Sequence, residues 1–417
     1  MTHFSCGIDF GTTNSTIGIL KNNQPQMVQL ENDSVSMPTA LFFEDKKKKP
    51  LYGKHAVDCY VNGTDGRFIR SIKRILGSDL MDKFTVINGK GVRFDDLIGL
   101  FLSRLKQTAE SQIDSTIDTA VIGRPVHFQD NDVQADQKAE DRLKSIAQKI
   151  GFKHVSFQYE PIAAAFAHEQ LLTSEKLALV VDIGGGTSDF TIIRIGPNLS
   201  QKVNRADDIL ATTGVRIGGN DLDKALNLNF FMPSFGKGSM YGAKSLICPN
   251  YLFADLSEWS LINFCYTPQN IQRVEDILLT AHEPIKIQRL LDLLEFQEAH
   301  RLLKLAEDAK IDLTKNHTTQ QRFDNFNSVI LFDVSQNDFE KVIAYDVEKI
   351  ERCMEECLTQ AHLSADKIDL LILTGGSCEV PYVQKAFRRL FPTAQFSDKE
   401  KMLSVGYGLT YATHYIE

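Results

Sequence analysis

Apolar runs interrupted by small and hydroxyl residues recur at two places in the chain. Residues 6–20 are CGIDFGTTNSTIGIL and residues 177–195 are LALVVDIGGGTSDFTIIRI. In each, an apolar run leads to Asp-x-Gly, then to small and hydroxyl residues, then to a second β-rich run. That pattern predicts a strand, a tight glycine turn and a returning strand. Its recurrence in two halves of one chain predicts an α/β protein of two similar lobes facing each other, residues 1–170 and 171–417. Inserted subdomains are expected at about 39–115 and about 224–345. Asp118 to Gly123 has the pattern of a buried strand stopped by Pro125, and Asp132 to Ile150 that of an amphipathic helix stopped by Gly151. The segment HVSFQ predicts a strand leading to Tyr159-Glu160-Pro161 and the alanine-rich helix IAAAFAHEQLL. KIDLLILTGGS predicts a strand entering a Gly-Gly turn, after which Pro381 opens a helix. Residues 224–300 lack this alternation: glycine-rich, aromatic stretches precede a helical periodicity from about Ile285 to Leu313.

Composition narrows the class. At 417 residues with 43% hydrophobic positions, the chain exceeds the roughly 250–300 residues that one core organises, so two lobes are the default. A net charge of -8 argues against a nucleic-acid binder, which needs clustered cations on its surface. The one basic block, Lys46 to Lys49 between Glu44-Asp45 and Pro50, is expected to be a solvated hairpin tip. Seven cysteines without a framework of tight pairs predict a reducing, cytoplasmic setting. Cys353 and Cys357 share a helical face, but no second pair completes a tetrahedral set, which favours helix packing over a metal site. No apolar run is long enough to span a membrane, and a strand pattern beginning almost at residue 1 leaves no room for a signal peptide.

The two glycine turns carry the candidate chemistry. In Asp9-Phe10-Gly11-Thr12-Thr13-Asn14 and Asp182-Ile183-Gly184-Gly185-Gly186-Thr187, the glycines admit phosphates close to the backbone. Successive N–H groups form an anion-binding concavity, and the hydroxyls add donors. Asp9 and Asp182, at the strand ends, suit Mg²⁺ held through its waters. One such turn is an ordinary hairpin; two with the same Asp-x-Gly lead point to a triphosphate site. GKGSMYGAKS at 236–245 imitates a phosphate loop, but Ala243 stands where glycine must precede the lysine. On residue pattern alone, Lys73 suits a solvated helix lysine between Arg70 and Arg74. The spacing of Glu307, Lys310 and Thr314 fits one helical face, whether a ligand face or an exposed one.

These motifs resemble the 70-kDa heat-shock protein family. IDFGTTNS and VVDIGGGTSDFTI are similar to its two phosphate motifs, FIRSIKRILG to the segment of its catalytic lysine, and YEPIAAAFAH to its Glu-Pro segment. TTGVRIGGNDLD, AEDAKIDLT and LILTGGSCEVP resemble its Gly-Gly motif, its adenosine-contacting helix and its adenosine loop. The resemblance runs in order from residue 6 to about 412. It implies an actin-like ATPase fold with ribonuclease H-like lobes and ATP or ADP with Mg²⁺ in the cleft. Lys73, Glu160, Asp182 and Thr187 are the implied catalytic residues. Gly11, Thr12, Thr13, Asn14, Gly184, Gly185, Gly186 and Thr187 are the implied phosphate contacts, with Gly218 and Gly219 beside them. Glu307, Lys310, Thr314, Gly375, Gly376 and Ser377 are implied around the nucleoside, and Asp9 and Asp182 at the metal through water.

The chain also departs from the family. Glu379 occupies the place of an arginine that stacks on adenine, and an acid cannot stack that way. Met402 stands where an acidic residue is usual. The span from Asp223 to Glu307 is long for the family, and the stretch from Lys73 to Pro125 is short. The chain ends soon after Gly408 with no motif of the family's peptide-binding domain. The expected function is therefore a slowly hydrolysing, chaperone-related ATPase acting through an unknown protein partner at residues 224–300, with no nucleic acid and no membrane. The alternatives are a nucleotide-binding scaffold or an actin-like filament protein with little turnover. Phe230, Phe231, Met232, Phe235, Tyr241, Tyr251, Phe253, Trp259 and Phe264 suit either that partner surface or the insertion's own small core.

Overall fold

The computed structural model describes residues 4–21, 24–45, 47, 49–62, 64–126, 128, 132–169, 172–197, 199, 206–325, 328–397 and 403–415. The chain divides into two compact units. The first is Met1–Gly218 with Lys349–Cys378 and Ala386–Glu417, and the second is Gly219–Glu348 with Glu379–Lys385.

The first unit holds two sheets of one design. In the first, β1 (Phe4–Phe10), β2 (Asn14–Lys21), β3 (Gln24–Met27), β4 (Ile117–Arg124) and β5 (His154–Tyr159) lie in the order β3-β2-β1-β4-β5, and Ser36–Pro38 also pairs with β2. In the second, β6 (Lys176–Ile183), β7 (Ser188–Ile195), β8 (Ile209–Val215), β9 (Leu370–Thr374) and β10 (Gln395–Ser397) lie in the order β8-β7-β6-β9-β10. Each sheet begins with an antiparallel hairpin and continues in parallel from its first strand. Both motif pairs thus form the expected strand–turn–strand. Of the parallel strands, β4, β6 and β9 are buried almost throughout, which explains why they show as continuous apolar runs instead of alternating, whereas the outer β5 and β10 are only partly buried.

Two helices lie against these hairpins. Glu160–Glu169 packs on β6 and β7, Ser404–Ala412 packs on β1 and β2, and the two pack on each other. Small residues set their separation: Ala163, Ala164 and Ala165 are fully buried, and a methyl group on Gly408 would stand 1.7 Å from the Ala163 carbonyl oxygen. Val133–Lys149 is a helix whose N-cap, Asp132, accepts from the Ala135 N–H at 2.9 Å, and Gly151 follows it at φ +100°.

Lys47 and Lys49 are exposed between the paired strands Ala40–Glu44 and Leu51–Tyr52, as a hairpin tip requires; Lys46 and Lys48 lie outside the described residues, as does Met402. Cys353 and Cys357 are buried on the helix Gln336–Gln360. The Thr213 hydroxyl donates to the Cys353 carbonyl, and the Cys357 Sγ lies 3.7 Å from the Phe190 carbonyl. Burial pushes these thiols up to about 12 and about 11, the protonated state of packing groups.

The second unit combines helices with an antiparallel pair, Thr318–Asn325 and Ser328–Ser335. Phe231 stacks on Phe332 at 4.1 Å, and Phe235 meets Phe323 edge-on at 5.9 Å. Phe231, Met232, Phe235, Phe253 and Trp259 are buried, whereas Tyr251 and Phe264 are exposed. The periodicity from Ile285 to Leu313 is two helices, Pro284–Glu295 and Ala299–Asp312, parted where Gln297 turns to φ +57°. Residues 236–245 form no phosphate loop: Met240–Tyr241 pairs with Leu246–Ile247 as a small hairpin. Among the described residues, no helix is long and apolar enough to cross a membrane.

Candidate functional site

The buried Thr39 and Ser15 brace the first glycine turn. The Thr39 hydroxyl donates to the Gly11 carbonyl at 2.8 Å, its N–H donates to the Thr13 carbonyl at 2.8 Å, and Ser15 Oγ lies 2.8 Å from Thr39 Oγ1. Gly11, Thr12, Thr13 and Asn14 are thereby held at the hairpin end without being buried. The second turn closes through the Gly184 N–H donating to the Thr187 carbonyl at 3.0 Å. A methyl group on Gly185 would fall 2.1 Å from Thr13 Oγ1, and one on Gly186 3.2 Å from Thr12 Oγ1. The two turns therefore face each other at close range.

Two further glycines support the second turn from behind. A methyl group on Gly218 would meet the Gly185 carbonyl carbon at 2.6 Å. Gly375, at φ +81°, would bring one to 2.2 Å from the Ile183 carbonyl oxygen and 2.9 Å from Asp182 Oδ1. Gly376 borders open space and Ser377 is buried. The first unit thus assembles Gly11 to Asn14, Gly184 to Thr187, Gly218 and Gly375 to Ser377.

Charge gathers behind the turns. Lys73 sits in a 3₁₀ turn, Ile72–Ile75, entered through Ser71 at φ 60°. It is buried and donates to Glu160 Oε1 at 2.5 Å, which corrects the reading of a solvated helix lysine: tertiary packing brings the carboxylate that sequence cannot locate. Asp182 stands directly opposite Asp189 in the β6–β7 register, and both are buried. Like charges paired across strands repel. Burial and the Glu160 carboxylate push Asp9 and Asp189 up to about 7, with Lys73 opposing. Burial, then Glu160, Asp189 and Asp9, raise Asp182 well above the usual carboxylate range. Burial depresses Lys73, but Glu160 and Asp9 outweigh it and hold the ammonium charged.

Asp189 was not among the expected residues. Its Oδ1 accepts from the Val126 N–H at 2.8 Å, and the Thr187 hydroxyl also bonds it. The signal was present as an acid inside the otherwise apolar strand SDFTIIRI. Arg216 was also unforeseen; its guanidinium donates to the Phe128 carbonyl at 2.9 Å and the Arg74 carbonyl at 2.8 Å, tying the Lys73 segment to the strand before Gly218.

An excess of carboxylate around Lys73 fits a bound cation, which would offset the burial and mutual repulsion that lift these groups toward protonation. Among the described residues, no three His, Cys, Asp or Glu side chains converge as a direct metal-ligand set. The arrangement accordingly suits a hydrated ion whose waters reach Asp9 and Asp182, and glycine turns that accept an anion beside it.

Gly219, Glu307, Lys310 and Thr314 belong to the second unit. Lys310 donates to the Gly219 carbonyl at 3.1 Å and pairs at 2.7 Å with Asp223, a fully buried carboxylate. Glu307 is buried and lies 3.2 Å from Lys304 Nζ. Thr314 does not share their helix, which ends at Asp312; its hydroxyl turns back onto the Ile311 carbonyl at 2.7 Å, satisfying a terminal acceptor. Glu379 is exposed at the end of the 3₁₀ turn Gly376–Glu379.

A family model described as Hsp70 protein matches residues 5–245 and 276–406. The two sheets of equal strand order are the actin-like ATPase architecture of that match.

Proposed function

Because this chain belongs to the Hsp70 family, for which ATP binding and a chaperone-like role are general, we propose that it hydrolyses ATP slowly with Mg²⁺ and passes the nucleotide state to a protein partner. The observation that carries this reading is the set of buried Glu160, Asp182 and Asp189 with the half-buried Asp9 around Lys73, behind two facing glycine turns. Phosphoryl transfer needs positioning and charge neutralisation more than covalent chemistry. Mg²⁺, when bound, supplies charge neutralisation at the phosphate oxygens. Lys73 places a permanent positive charge at the γ-phosphate, while Glu160 fixes the lysine and orients the attacking water. Asp182 and Asp9 would hold the hydrated metal through water, Thr12 and Thr13 would donate to phosphate oxygens, and Thr187 would do so on turning its hydroxyl away from Asp189.

Base selection is weak on this reading, since Glu379 offers no stacking cation. Closure around the nucleotide then changes the affinity of a partner engaged at residues 224–300, as linkage requires. Turnover by the purified protein, with and without Mg²⁺ and with GTP in competition, tests the proposal. Mg²⁺-dependent phosphate release with less than about tenfold preference for ATP, or about 1.4 kcal/mol, is expected. Tight binding without turnover would leave a nucleotide-operated scaffold.

A further inference from the structure

The second unit carries an uncovered apolar hairpin. Met240–Tyr241 pairs with Leu246–Ile247, and Met240, Leu246 and Ile247 are 42%, 52% and 65% exposed. Met240 lies opposite Ile247 and Tyr241 opposite Leu246, so apolar side chains stand on both faces. Residues 280–282 run along the inner side. The Gly242 N–H donates to the Thr280 carbonyl at 2.9 Å, the His282 N–H donates to the Met240 carbonyl at 2.9 Å, and Tyr241 bridges Ala281. Leu279 and Ile285, flanking that segment, are exposed as well. Leu246–Ile247 is the outer strand, with no named strand beside it among the described residues. Exposed apolar edge strands are normally blunted by charge, proline or a covering element. This one begins where the family match breaks off, after residue 245.

Charge identifies the occupant. The hairpin carries Lys237 and Lys244 with no acid between residues 236 and 248, in a chain of net charge -8. The neighbouring Glu283 is already engaged, with Lys286 at 2.5 Å and the Ser239 hydroxyl at 2.6 Å. We propose that this edge docks an extended segment of a partner protein, apolar residues interspersed with acidic ones, added as a strand beside Leu246–Ile247. The proposal rests on the partner reading given above and names its site and chemistry. Main-chain pairing supplies affinity and the lysines select acidic over basic segments. A second copy of this chain fits poorly, since a two-fold contact would set the same basic patch against itself. A membrane fits poorly because hydrocarbon cannot satisfy the open backbone groups of an edge strand.

The test uses the full chain and two fluorescent peptides, one alternating valine with glutamate and one alternating valine with lysine. The acidic peptide is expected to bind at least about tenfold more tightly, to weaken with salt, and to lose about tenfold in affinity with Leu246→Asp/Ile247→Asp. Lys244→Glu, at an exposed position, gives the same direction of change should the double variant fail to fold. Equal binding of both peptides, or binding undiminished in both variants, overturns the proposal. So does self-association that the variants abolish, or sedimentation with phosphatidylserine vesicles without peptide binding. ATP turnover is measured on the same samples: peptide binding without turnover leaves the docking site standing and removes the ATPase reading, and turnover without peptide binding does the reverse.

Discussion

In the first unit, Asp9, Glu160, Asp182 and Asp189 crowd around Lys73, and three of the four are lifted far above their ordinary range. In the second unit, the buried Asp223 has its own lysine, Lys310, at 2.7 Å. Both are buried ionic clusters between backbone turns and helices. Their difference is balance. A carboxylate matched by a cation is finished structure, whereas carboxylates in excess are stable only partly protonated or with a cation supplied from outside. Imbalance is the reason the first cluster is the candidate place for chemistry. Balance gives Lys310 a structural task whether or not it also reaches a nucleoside.

The strongest test of this contrast is Lys310→Ala. Removing the cation from a fully buried carboxylate should destabilise the protein by about 3–5 kcal/mol, read by denaturant unfolding. An unchanged unfolding midpoint with weakened nucleotide binding would reverse the assignment and make Lys310 a ligand contact. Lys73→Ala also strips a buried carboxylate of its cation, but its distinguishing effect should be on turnover. Turnover is expected to fall by about 2.7–4 kcal/mol in barrier terms while nucleotide affinity changes little; equal rates at saturating ATP would take Lys73 out of the mechanism.

Glycines sharpen the comparison further. Gly375→Ala adds a left-handed backbone penalty and a methyl group 2.2 Å from the Ile183 carbonyl oxygen, together about 2–4 kcal/mol. Gly238, in the second unit, has a similar φ of +83° but open space around it, so Gly238→Ala should cost only about 1 kcal/mol. Equal losses would mean that the turn behind Asp182 yields without strain.

The smallest effect expected is on pH dependence. Asp9 and Asp189 rise from 3.8 to about 7 on folding, so the folded protein holds protons that the unfolded chain releases. Their contribution is complete below about pH 4 and disappears as pH rises through about 7. The ligand-free melting temperature should fall by a few degrees between about pH 5 and about pH 8. Asp9→Asn should flatten that slope, and Mg²⁺ with ATP should offset it. A melting temperature that rises over this interval would show that other groups govern stability.

The sequence by itself determined both glycine hairpins, the strand leading to Thr374 and the helices after Asp132, Tyr159 and Pro381. Each is written in local signals: Asp-x-Gly between apolar runs, a capping aspartate, a glycine stop, a proline start. Lys73 carried no such signal. Its burial against Glu160 is a contact across 87 residues, and the bracing of the first turn by Thr39, across 28 residues to Gly11, was likewise beyond local signals. Thr314 was misplaced because periodicity continues past the point where a hydroxyl can end a helix. The aromatic run of the second unit proved divided, since hydrophobicity alone does not say which side chains face a core. Sequence thus fixed what neighbouring residues decide through backbone preference. Only the tertiary structure decided which charges are balanced, because that depends on which groups long-range packing encloses together away from water.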